Sequence, residues 1–536
     1  MPRSSMGLRF KMLLTRHPVL ANRLLRLMGQ RGLQRVAQRI ARRAAQRAFT
    51  HVPFYQTLYE RGGFDARRMR RLSWADFQRL PTSGKTEAAG MPDRQLLDQR
   101  VPFPGGDALL GRSSGTTSGP ATWPTGWEEF YLTRANYWRM LRELQADRRP
   151  AVLLSMFPVD GGDLAGNLPF RSAFSLKETT RWPFEVIPAG EEADTVIPIL
   201  RWLVEQDFET LYLNSFPGTV ERLLDRDDEL KREDSAAGVD WSRFKRIRVG
   251  MGGQTVSLEL RQRLRRQMGL APKNLLSEFI VYASSDAGQL IAQSSPFSLW
   301  LERYLETRPE LAATLGIPEE HRGKPIMECI SSMAVYMELD EDGLLLLTTW
   351  KHRPLIRYRT NDLAWLRPTR EIVRTLNREA RGWRRDFRGY GFGRRHVPTA
   401  ATMGMILGRA DDVRIVNGAN VSPEMLRQAL EVAGILPQIH HFKHNTDDVH
   451  PNEYTVYLEM PDALDELACV ALAEQWRGPL LEALVHLPVA TDLYAAHRSN
   501  PITLRLFVRP RGAEEFAGDD QRAKLTYVPR RPLRRQ

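Results

Sequence analysis

The segment Gly111-Arg112-Ser113-Ser114-Gly115-Thr116-Thr117-Ser118-Gly119-Pro120 puts three glycines and five hydroxyl side chains into ten residues. Glycine admits the positive φ values that turn successive backbone N–H groups toward one point, and the hydroxyls add donors there. Such a loop suits the β- and γ-phosphates of ATP. It is not a Walker A loop, because no Gly-Lys-Ser/Thr follows. Its first half also satisfies the G-x-S-x-G of a hydrolase elbow. That elbow needs a helix directly after the serine, and Thr116–Pro120 is hostile to one.

Three further segments carry chemistry. Tyr282-Ala283-Ser284-Ser285-Asp286-Ala287-Gly288 follows the strand-like Phe279–Val281, so an aromatic, hydroxyls and one acid fall where α/β sheets place ligands. Pro354-Leu355-Ile356-Arg357-Tyr358-Arg359-Thr360-Asn361-Asp362 ends on a carboxylate, whose two oxygens suit a diol. Gly408-Arg409-Ala410-Asp411-Asp412 leads through Val413–Val416 to Asn417-Gly418-Ala419-Asn420-Val421. Val249-Gly250-Met251-Gly252-Gly253 mimics a dinucleotide fingerprint, but the helix and the distal acid are poorly placed for one. His440, His441, His444 and His450 gather near Asp447 and Asp448; their irregular spacing favours a polar loop over a zinc site.

The elements that must hold these segments alternate. Ala151–Phe157, Thr210–Phe216 and Phe244–Val249 read as strands, Ser257–Met268 as an amphipathic helix, and Gly343–Trp350 with Leu355–Arg359 as a strand pair. The fold class is α/β: a large multi-layer N-terminal domain with β-sheets flanked by helices. Residues 367–405, rich in Arg and Gly, read as a long insertion or loop. A small α+β unit follows, with strands Val413–Val416, Glu453–Met460 and Thr503–Val508 and helices Pro423–Val432 and Leu464–Leu484. The boundaries are 1–50 for a basic helical arm, 51–408 for the large domain and 409–536 for the small one.

The net charge of +13 over 536 residues is not a nucleic-acid signature. Residues 1–50 hold twelve Lys/Arg and no acid, 521–536 hold six and no acid, and the body between is slightly acidic. A phosphate-gripping protein more often carries its charge on the folded body. Only Cys329 and Cys469 are present, which fits a reducing, cytoplasmic setting. No stretch approaches the roughly 20 apolar residues of a membrane span, although the basic arm could meet anionic lipid or an acidic protein.

Taken together, the four segments are similar in type and order to the motifs of adenylate-forming enzymes, and of phenylacetate–coenzyme A ligases in particular. The resemblance covers about residues 51–525. His51-Val52-Pro53-Phe54-Tyr55, Leu80-Pro81-Thr82-Ser83-Gly84-Lys85 and Gly252-Gly253-Gln254 extend it. It implies that Ser113, Ser114, Gly115, Thr116 and Thr117 cradle the phosphates of ATP, with Thr116 also catalytic. It implies that Gly253 and Gln254 wall the adenine, Tyr282 stacks on it, Ser285 meets the α-phosphate, Asp286 binds Mg2+ and Asp362 holds the ribose. Arg409 becomes a nucleotide-side catalytic cation, Asp411 a hinge that makes the small domain mobile, Gly418 a wall of the coenzyme A tunnel and Lys524 the catalytic lysine. Phe157–Gly166 falls where the family lines its acyl pocket.

Ser118 and Gly119 stand where the family has Gly and Lys, Asp286 where it has Glu, and Asn361 where it has Gly. The implied activity is ATP-dependent conversion of a carboxylic acid to an acyl-adenylate, then transfer to coenzyme A. Loading of a carrier protein, amide formation, and a non-catalytic or basic binding protein are the alternatives.

Overall fold

The computed structural model of the chain describes residues 18–516 apart from 85–86, 89–90, 101–108, 113–121, 126–129, 131–133, 135–136, 139, 143–145, 158–163, 207, 254–255, 257, 272–273, 285, 288, 330–334, 352, 399–400, 411–413, 417–418, 422, 447–451 and 488–489. The described residues divide into two compact units, one ending at Leu407 and the other starting at Gly408.

In the first unit, a hairpin of β1 (Leu109–Arg112) and β2 (Thr122–Thr125) brackets the hydroxyl-rich loop. The frame is an eleven-stranded mixed sheet. Its parallel part comprises β3 (Ala151–Ser155), β4 (Phe184–Pro188), β5 (Thr210–Ser215), β6 (Arg246–Gly252) and β7 (Glu278–Ser284), in the order β4-β3-β5-β6-β7. β3 and β5 are buried along their whole length, as central parallel strands covered on both faces must be. Side chains alternate between faces: Ala151 and Leu153 join one core, Val152 and Leu154 the other. Helices Ala193–Val204, Pro217–Glu233 and Leu258–Gln267 cover the second face.

Beyond β7 the sheet continues antiparallel through β8 (Gln289–Gln293), β9 (Met327–Cys329) and β13 (Thr402–Arg409). It then runs through β12 (Leu355–Pro368), β11 (Leu344–Thr349) and β10 (Tyr336–Leu339). The β11–β12 pair is the one expected from sequence.

The insertion expected over 367–405 is instead structured. Helices Thr369–Glu379 and Trp383–Gly389 bury Ile372, Leu376, Trp383 and Phe387, and β13 then enters the middle of the sheet. So few apolar residues among so many arginines leave no visible period, yet they suffice. Trp383 and Phe387 pack on Trp300, whose indole N–H donates to Asp386 at 2.6 Å.

The basic arm is also not separate over its whole length. Helix Pro18–His51 kinks at Gly29, where φ is 61°. Beyond it, Leu33, Ala37, Ala41, Ala44, Ala45 and Ala48 are buried against the body. Alanine adds too little hydrophobicity to stand out among arginines. Removal of residues 1–28 is expected to leave the thermal midpoint of the large unit unchanged. Removal through residue 45 strips the alanine face and lowers the thermal midpoint of the large unit.

The second unit has its own core. β14 (Arg414–Val416) pairs with β15 (Ala419–Val421), and a three-stranded sheet joins β16 (His441–Thr446), β17 (Glu453–Glu459) and β18 (Thr503–Arg509). Helices Pro423–Val432 and Glu466–His486 pack there. Of the histidine-rich stretch, expected as a loop, His441–Thr446 is the strand β16, with His441 and His444 buried and His444 Nδ1 2.7 Å from the Tyr454 hydroxyl, while Asp447, Asp448 and His450 lie outside the described residues. Among the described residues no group of three or more His, Cys, Asp or Glu could hold a metal, and no helix is long and apolar enough to cross a membrane.

Candidate active site

Gly253 and Tyr282 lie at the carboxyl ends of the parallel strands β6 and β7. β6 ends in Gly250-Met251-Gly252-Gly253 because its neighbours press on it. A Cβ at Gly250 would lie 2.4 Å from Asn214 Oδ1, and one at Gly252 would lie 2.4 Å from Val281 Cγ2 and 2.8 Å from its carbonyl oxygen. Gly253, at φ +81°, then turns the chain out of the sheet. On the adjacent strands, Phe157 packs edge-to-face on Phe216 at 4.8 Å between centroids, an apolar wall after β3 and β5. The hydroxyls of Ser155 and Ser215, which end those strands, are buried without a hydrogen-bond partner among the described residues. Buried polar groups left unsatisfied are uncommon and mark places where a ligand or water completes the network.

Tyr282 stands near the end of β7, where a register shift interrupts pairing with β8. Its hydroxyl donates to Asp362 Oδ2 at 2.5 Å. The strand β12 is irregular around Asp362. Asn361, at φ 65°, adopts a left-handed conformation that asparagine tolerates, and the pairing of β12 with β11 shifts twice. Thr360 Oγ1 accepts from the Asp362 N–H at 3.2 Å and donates to the Leu345 carbonyl at 3.0 Å.

A second contact ties the same two segments. Asp286, 6% exposed, accepts a hydrogen bond from Tyr358 at 2.7 Å, while Lys351 donates to its backbone carbonyl. Burial, reinforced by the Asp286 carboxylate, raises the Tyr358 phenol well above its ordinary value, so it remains a donor at any physiological pH. Asp286 carries hard oxygens of the kind Mg2+ accepts, and carboxylate ligands are themselves commonly held by such hydrogen bonds. The donor chemistry fits, with the remaining ligands left to phosphate and water. Tyr358→Phe should remove about 1.5 kcal/mol from the stability of the large unit, read as a lower denaturation midpoint.

Segments that seemed peripheral in sequence prove to support β12. Tyr55 donates to the Pro354 carbonyl at 3.0 Å and accepts from the Ile356 N–H at 3.0 Å. The Ser83 N–H donates to the Arg357 carbonyl at 3.2 Å, and Arg359 N–H donates back to the Ser83 carbonyl at 2.7 Å. Arg357 is itself spent on structure, pairing with Glu338 at 3.0 Å and donating to the Leu80 carbonyl at 2.6 Å.

Of the residues singled out from sequence, Gly253, Tyr282, Asp286 and Asp362 lie in the first unit, where Tyr282 and Asp362 touch. Arg409 closes β13, half-buried, after Gly408 at φ 149°. Ser113, Ser114, Gly115, Thr116, Thr117, Gln254, Ser285, Asp411, Gly418 and Lys524 lie outside the described residues. Tyr358 and Lys351 went unselected. Tyr358 lay inside a quoted motif, but nothing in its type distinguished it from a core tyrosine.

No protein-family model matches the chain. It is 22% identical over 396 residues to phenylacetate-coenzyme A ligase of Thermus thermophilus, covering 71% of each protein. The structure of 2-hydroxyisobutyryl-CoA ligase in its postadenylation state, in complex with R3-HIB-AMP, superposes with a TM-score of 0.53 at 15% identity, covering 90% of this chain and 86% of that one. The same ligase in an open conformation with 2-HIB-AMP and CoA gives 0.48 at 15% identity, over 83% and 89%. The first of these structures establishes the fold.

Proposed function

We propose that this chain, a phenylacetate–coenzyme A ligase-like member of the adenylate-forming superfamily, activates a carboxylic acid with ATP and passes the acyl group to coenzyme A. The observation that carries the reading is the double clasp between β7 and β12, Tyr282 to Asp362 and Tyr358 to Asp286. It supports one nucleotide site built from both segments. The adenine lies on Tyr282 beside Gly253 and Gln254, and the ribose hydroxyls donate to Asp362. The phosphates rest on Ser113, Ser114, Gly115, Thr116 and Thr117, with Ser285 at the α-phosphate.

An oxygen of the acid's carboxylate bonds to the α-phosphorus as the bond to the bridging oxygen breaks, giving acyl-adenylate and pyrophosphate. Lys524, with Thr116 and Arg409, offsets the negative charge that builds there. A magnesium ion held by Asp286 would add charge neutralisation at the phosphates. The coenzyme A thiol, reaching past Gly418, then loses its proton to solvent and its sulfur bonds to the acyl carbon, while the bond from that carbon to the phosphate oxygen breaks and AMP leaves with the electron pair. One site runs both steps if the second unit turns about Asp411, since a hinge absorbs a large backbone change at an element's end. The free, buried Cys329 and Cys469 suit a reducing cytoplasm.

Pyrophosphate release screened across a library of carboxylic acids tests the reading and identifies the acid. Thioester formation with free coenzyme A, set against a carrier protein and simple amines, identifies the acceptor. Absence of acid-dependent release with every member would leave a non-catalytic binding protein as the better description.

A further inference from the structure

The second half of helix Pro18–His51 carries an unusual charge pattern. Arg31, Arg35, Arg39, Arg43 and Arg47 recur every fourth residue and all are exposed. At 3.6 residues per turn each step drifts about 40° around the axis, so Arg35, Arg39 and Arg43 fall opposite the buried alanine face. The stripe runs for roughly 24 Å. Arg47 sits over the Trp350 ring at 5.7 Å, but Arg31, Arg35, Arg39 and Arg43 make no ion pair or hydrogen bond among the described residues.

The surface is wider than one helix. Helix Ala66–Arg70 is fastened alongside: Arg42 donates to the Leu72 carbonyl at 3.1 Å, and Gln46 donates to the carbonyls of Met69 and Arg70 at 2.9 and 3.2 Å. It brings the exposed Arg67, Arg70 and Arg71 to the same patch. The chain has no Asp or Glu before Glu60, so the stripe has no acid of its own helix to neutralise it. None of these arginines belongs to the nucleotide site.

We propose that this arginine surface seats the enzyme on an anionic phospholipid bilayer. Arginine presents a planar fork of donors to phosphate and is weakly hydrated, which suits a headgroup layer. The sequence leading into the stripe favours lipid over an acidic protein or nucleic acid. Residues 3–28 set six cations among Leu8, Phe10, Leu13, Leu14, Leu20 and Leu24, without an acid. Charge joined to apolar area is what a lipid interface can use and a purely polar polyanion cannot. The surface needs no motion to form, because the alanine face and the Arg42 and Gln46 contacts fix it on the body.

The full chain is co-sedimented with phosphatidylcholine vesicles, with and without phosphatidylglycerol, over a range of sodium chloride. Binding is expected to anionic vesicles alone and to weaken steeply with salt. The variant R31Q/R35Q/R39Q/R43Q should bind about a hundredfold more weakly or less, while acid-dependent pyrophosphate release stays at the parent level. Equal binding to neutral vesicles, binding unchanged in the variant, or sedimentation with neither vesicle overturns the proposal. So does salt-sensitive capture by nucleic acid or an acidic protein in the absence of vesicle binding. Should the variant misfold, the salt titration of the parent chain decides alone. Loss of pyrophosphate release in the parent would refute the catalytic reading without touching this one.

Discussion

Asp362→Ala should lower kcat/KM for ATP by about two to three orders of magnitude, roughly 3–4 kcal/mol. The carboxylate stands in β12 beside Asn361, at φ 65°, and is held by Tyr282 at 2.5 Å. One of its oxygens already serves that phenol, so it is aimed before any ligand arrives. Two hydroxyl donors on a charged acceptor contribute about 1.5–3 kcal/mol each, and their non-additivity brings the sum below the simple total. The loss should appear in binding and in the chemical step alike, because ribose contacts are made in both ground and transition states. Asp362→Asn, which keeps the shape and one acceptor, should fall between alanine and the parent. An alanine variant with parental ATP kinetics and an unchanged melting profile would remove Asp362 from the site.

Lys524→Ala should slow adenylation ten- to a hundredfold or more, about 1.4–2.7 kcal/mol, yet leave thioester formation from supplied acyl-adenylate largely intact. A lysine that reaches both the acid's carboxylate and the α-phosphate stabilises charge present only while the first bond is being made. The second half-reaction builds its charge elsewhere. A single-turnover comparison of the two halves separates this role from that of one more cation in a basic tail. Equal loss in both would refute it.

How far the sequence could be read depended on how much each segment resembled its surroundings. β3 and β5 were legible because a buried parallel strand is a continuous apolar run. Helix Pro423–Val432 matches its reading residue for residue, since its apolar stripe is broad and both ends are marked. Helices Thr369–Glu379 and Trp383–Gly389 were not legible, because Ile372, Leu376, Trp383 and Phe387 are spaced among arginines that never needed burial. β16 hid because its buried residues include Lys443 and His444, types ordinarily exposed.

The site shows the same division. Motif types told which chemistry to expect at Tyr282, Asp286 and Asp362. They did not tell that Tyr282 would clasp Asp362, or that Tyr358 would hold Asp286, because such pairings depend on strand order. β7 and β12 are separated in the sheet by β8, β9 and β13, yet Tyr282 and Asp362 meet. Spacing along a chain cannot report a contact 80 residues apart.

A crystal structure of the protein with AMP tests the central claim most directly. The account predicts the adenine against Tyr282, both ribose hydroxyls about 3 Å from the Asp362 carboxylate, and the phosphate facing residues 113–117. A nucleotide bound away from the ends of β6 and β7, with its ribose out of reach of Asp362, would contradict it.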